Sequence, residues 1–95
     1  MIEKYLRKLQ ELQLRTVGTP VSIQIQNRWD KEGGEPWLSI LVYHEEWLES
    51  DGERDDLCLS TQICERKDDT LREIEAHMSQ RYNSVKEFVE KLLSI

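Results

Sequence analysis

Ninety-five residues carry nineteen acidic and thirteen basic side chains, a formal net charge of −6, with 38% hydrophobic and 34% charged positions. That length builds about one domain around one core, and the apolar fraction is too high for a disordered chain. The longest apolar run, Ile40 to Tyr43, falls far short of the ~20 residues of a membrane span, and the charges that interrupt Met1 to Leu9 exclude a signal-peptide core, so the expectation is a cytoplasmic protein with no membrane association.

From Ile2 to Leu14 the apolar residues Ile2, Tyr5, Leu6, Leu9 and Leu12 recur at three- and four-residue steps, the period of an amphipathic helix with Lys4, Arg7 and Lys8 on its outer face. Gly18-Thr19-Pro20 ends it. Val21, Ile23, Ile25 and Trp29 then alternate with Ser22, Gln24, Gln26 and Arg28, the period of two that marks a strand. Asp30 to Pro36, with Gly33-Gly34, reads as a hairpin connection.

A second strand, Trp37 to about Trp47, is apolar on both faces and is therefore expected at the centre of the sheet. A third follows from about Asp56 to Arg66, where Leu57, Leu59 and Ile63 alternate with Cys58, Ser60, Gln62 and Cys64. Pairing even with even positions would gather Val21, Ile23, Ile25, Trp29, Trp37, Leu41, Tyr43, Leu57, Leu59 and Ile63 under the helices. Leu38, Ile40 and Val42 would then form an apolar stripe on the opposite, open face, a surface suited to self-association.

Asp68-Asp69-Thr70 opens a last helix, with Thr70-x-x-Glu73 as a capping box and Leu71, Ile74, Met78 and Tyr82 as its buried stripe. A second box, Ser84-x-x-Glu87, predicts a break near Asn83 and a helix pair; the stripe runs through 82 and 85 in phase, which leaves a single long helix as the alternative. The fold class is α+β: a helix, a three-stranded antiparallel meander, then a helix or helix pair, in one domain spanning 1–95. The same order occurs in double-stranded-RNA-binding domains, which set a basic cluster at the start of the last helix. Here that turn is Asp68-Asp69-Thr70-Leu71-Arg72-Glu73, so the likeness is one of topology and implies no function.

No catalytic group, cofactor site or metal site can be assembled from spacing. Gly33-Gly34 lacks the Lys and helix start of a phosphate loop. The acids after Asp51 put glycine at the second position rather than the sixth of a calcium loop. Cys58 and Cys64, with His44 and His77, do not have zinc-site spacing, and along one strand the two cysteines stand ~20 Å apart, too far for a disulfide. His77 reads as a helix-surface residue between Glu73 and Arg81.

Charge is the informative feature. Residues 44–56 hold seven acids and one arginine, which leaves twelve acids and twelve bases elsewhere. The candidate partner-binding residues are therefore Glu45, Glu46, Glu49, Asp51, Glu53, Asp55 and Asp56, with Trp47 as an aromatic anchor. They point to a non-catalytic module that binds a protein partner with a basic surface. Small acidic inhibitors encoded by phages and mobile elements, anti-CRISPR proteins among them, offer an analogy of size and charge. The alternatives are a homodimer through Leu38, Ile40 and Val42, and a nucleic-acid binder using Lys4, Arg7 and Lys8; direct nucleic-acid binding is not expected.

Overall fold

A computed structural model describes residues 2–29, 34–66 and 69–95, with the Trp29 side chain excepted. Helix α1 (Ile2–Arg15) leads into β1 (Val21–Trp29), β2 (Pro36–His44), a short helix α2 (Glu45–Glu49), a 3₁₀ turn (Asp55–Leu57), β3 (Cys58–Cys64) and a long helix α3 (Leu71–Leu93). The strands form one antiparallel sheet in the order β1-β2-β3. This is the expected α+β order. Among the described residues no helix is long and apolar enough to cross a membrane.

Both long helices lie on one face of the sheet. Tyr5, Leu9 and Leu12 of α1 and Ile74, Met78, Val85, Val89 and Leu92 of α3 are buried against Val21, Ile23, Leu38, Ile40, Val42, Leu57 and Ile63. The register corrects the expected pairing. Ile23 stands opposite Val42 and Ile25 opposite Ile40, while Leu38 faces Ile63, so odd positions of β1 and β3 share a face with even positions of β2. Leu38, Ile40 and Val42 are at most 1% exposed; they form the core rather than an open stripe, and the homodimer surface expected from them does not exist.

The physical reason lies in β2 itself. Both of its faces are apolar, so alternation cannot choose between them, and a one-residue slip exchanges them completely. The compact aliphatic set fills the space beneath two helices, leaving Trp37, Leu41 and Tyr43 half-buried on the other face. There the Arg28 guanidinium lies 5.4 Å from the Trp37 ring centre, and Tyr43 meets Trp47 at 5.5 Å. The expected core place of Trp29 lies outside the described residues, as do residues 30–33 of the hairpin connection and Asp68.

Helix α3 is continuous. The Thr70 hydroxyl accepts the Glu73 amide at 3.2 Å and caps its start, as the first box predicts. At the expected break, Ser84 instead donates its hydroxyl to the Gln80 carbonyl at 3.1 Å, a bond within the helix. The pair of helices expected from the second box is thus one helix of 23 residues, about 34 Å long at 1.5 Å per residue, which agrees with the 41 Å long axis of the molecule.

A candidate interaction end

The second strand stops at His44 rather than continuing to Trp47, because the His44 Nδ1 accepts the Glu46 amide at 3.1 Å and starts α2. That bond requires Nδ1 to carry no proton. The acidic segment is accordingly a helix and a 3₁₀ turn that connect the antiparallel strands β2 and β3. Helix α2 ends where Asp51 and Gly52 both take positive φ, 55° and 79°, bringing the Gly52 amide to the Trp47 carbonyl at 3.1 Å. The Ser50 hydroxyl donates to the Trp47 carbonyl and accepts the Arg54 amide, at 2.8 and 3.2 Å. Leu57, 2% exposed, anchors the far end in the core.

This scaffold presents Glu45, Glu46, Glu49, Asp51, Glu53, Asp55 and Asp56, all of them exposed. Arg54 is the only cation in the segment, and it is held by Asp56 through Nε at 3.1 Å and Nη2 at 3.0 Å. Bonding to that arginine lowers the Asp56 carboxyl below the usual range, and the guanidinium is raised in turn, first by the same hydrogen bond. Among the described residues no ion pair reaches the other six carboxylates.

Trp47 is not the free anchor that its sequence position suggests. It is half-buried, packed on Tyr43 and the edge of the core. Its neighbour Leu48 is 55% exposed. Chain direction adds to this. The Ile2 amide bonds Glu65, Lys4 and Tyr5 bond Glu75, and Arg15 reaches Glu90 at 4.0 Å. Both long helices therefore begin at the Trp37 end of the sheet and finish at the His44 end. Leu14, Val17 and Ile95, each at least 65% exposed, consequently share the His44 end with Leu48 and the acidic segment. Among the described residues, four of the five exposed large hydrophobic side chains lie there, and Leu71 is at the other end.

Sequence reasoning overlooked these aliphatics, although Leu14 offered a signal. Nine residues beyond Tyr5, it stands about 180° from the buried stripe at 100° per residue. On the basic face of α1, Lys4 pairs with Glu75 at 3.1 Å while staying exposed, the Lys8 ammonium lies 5.1 Å from the Tyr82 ring centre, and Arg7 is exposed.

The remaining chemistry is sparse. Cys58 and Cys64 are free thiols whose pKa values are raised chiefly by burial, with Asp55 adding to the effect at Cys58, so both favour the protonated, weakly nucleophilic form. Among the described residues no three His, Cys, Asp or Glu side chains converge as a metal ion would need. The hollow on the open sheet face, bounded by Gln24, Gln26, Ser39, Leu41 and Ser60, has no titratable side chain in its wall. Compared with models of protein families, with curated proteins and with solved structures, the chain matches none.

Proposed function

We propose that the chain is a non-catalytic protein-interaction module whose His44 end docks on a basic surface of a protein partner in the cytoplasm. The observation that carries this reading is the coincidence of exposed aliphatics, Leu14, Val17, Leu48 and Ile95, with six carboxylates that have no ion pair among the described residues. Apolar side chains within a charged rim have the makeup of an interface: burial of the centre supplies affinity, and complementary charge supplies steering and register. The cap, the Ser50 bridge and the Arg54–Asp56 pair hold the surface in shape before it binds, which lowers the ordering cost of association.

A basic surface that accepts six carboxylates is also one that accepts phosphates, so occupancy here would exclude nucleic acid from the partner. That is how an inhibitor of the phage or mobile-element type would act, and it needs no cofactor. The test is capture of partners from the native cell by the chain and by the triple variant Glu45→Lys, Glu49→Lys, Glu53→Lys, which leaves the positive-φ Asp51 untouched. Partners held at low salt should be released as salt rises and should not be retained by the triple variant. Equal retention by both proteins would remove the reading.

A further inference from the structure

The two edges of the sheet differ at the ends nearest His44. Pro20 accepts the Glu45 amide and Pro36 accepts the Glu65 amide, which fixes the phase of both ladders: even residues of β1 and odd residues of β3 bond to β2. The outward groups of β1 therefore belong to its odd residues, and at its Val21–Ile23 end they are engaged. The Thr19 hydroxyl takes the Val21 amide at 3.2 Å and Gln13 donates to the Ile23 carbonyl at 2.8 Å. Such plugging keeps an edge from recruiting another strand.

On β3 the outward groups belong to Ser60, Gln62 and Cys64. Among the described residues no side chain or loop bonds them. They face a groove of about 290 Å³ lined by Ser60, Thr61, Gln62, Cys64, Arg66, His77 and Arg81. Arg81 reaches over the edge to the Thr61 hydroxyl at 3.3 Å, and Arg66 stands exposed at its far end. The groove thus joins an unpaired strand edge to two guanidinium groups in a chain of net charge −6.

The geometry points to this groove as a second binding site, distinct from the His44 end, that takes an extended acidic peptide segment of a partner protein as a fourth strand. The peptide backbone pairs with Ser60, Gln62 and Cys64, and carboxylates at alternate positions on its helix-facing side meet Arg81 and Arg66. A second copy of the chain is the poorer occupant. Two β3 strands paired about a two-fold axis would bring each copy's Arg81, seated over the middle of β3, toward the other, and like charges in register oppose that pairing.

The experiment titrates the full chain with a capped ten-residue peptide alternating threonine and glutamate, followed by amide NMR and amide hydrogen exchange. Saturable shifts and slowed exchange at Ser60, Gln62 and Cys64 are expected. The lysine counterpart should not bind, and N-methylation of every second residue of the peptide should abolish pairing without altering its charge. Arg81→Glu should weaken binding at least about tenfold; if that variant loses its dispersed spectrum, Arg81→Gln replaces it, and the N-methyl comparison needs no variant at all. The proposal falls if the three amides do not respond, or if the N-methylated peptide binds equally. It also falls if a duplex RNA binds at Arg66 and Arg81 without protecting the edge, or if the edge becomes protected with rising protein concentration alone.

Discussion

Glu75 is held from α1 by two side chains at once, with the Tyr5 hydroxyl donating at 2.8 Å and the Lys4 ammonium at 3.1 Å. These bonds, Tyr5 first, hold its carboxyl below the ordinary glutamate range, while burial and then Glu75 raise the Tyr5 phenol. A carboxyl depressed by folding contributes stability above its unfolded pKa and loses it as pH falls through the folded value. The phenol behaves oppositely, contributing below its unfolded pKa and losing that contribution as pH rises through the raised one. Tyr5→Phe should therefore move the Glu75 titration midpoint upward, as read by carbon-detected NMR, and remove the alkaline loss due to residue 5. The register is also tested one residue at a time. Ile40→Ala should cost about 2–5 kcal/mol in urea unfolding, and Leu41→Ala, on the half-open face, less than about 1.5 kcal/mol; the reverse order would restore the even-with-even pairing.

At the scale of elements, the continuity of α3 sets the length of the molecule, and Ser84 is the position that tests it. An N-cap serine costs ~1 kcal/mol when replaced by alanine, whereas a serine inside a helix gains up to ~0.5 kcal/mol from the better helix former. Thr70→Ala should accordingly destabilise by ~1 kcal/mol, and Ser84→Ala should be neutral or slightly stabilising, both read from urea midpoints. Element types and order were legible because α1, β1 and β3 each carry one apolar face, so period alone identifies them and tells which side is buried. Strand β2 carries two, so its burial depended on which set the helices cover, information held only in the pairing with β1 and β3. The α2 helix was illegible for a related reason. Trp47 continues the apolar alternation of β2, while the cue that ends the strand is a histidine nitrogen capping the next turn, a role usually taken by Ser, Thr, Asp or Asn. Half of the candidate site, its carboxylates, was visible as composition; the aliphatics that accompany it come together only through the parallel course of α1 and α3.

The whole molecule is polar along its long axis in both senses. One end gathers the excess negative charge and most of the exposed aliphatic side chains; along β3 toward the other runs the open edge beneath Arg81 and Arg66. With a Debye length of about 8 Å at physiological salt and a body 41 Å long, the acidic end exerts little direct field on the far end of the groove. The two surfaces are thus electrostatically separable, and recognition by the His44 end should respond to apolar truncation there and nowhere else. Capture of partners from the native cell by Leu48→Ser, set beside Leu71→Ser as a still more exposed control at the opposite end, tests that most directly. The account predicts that Leu48→Ser loses the retained partners while Leu71→Ser keeps them; retention by Leu48→Ser, or loss with Leu71→Ser alone, would contradict it.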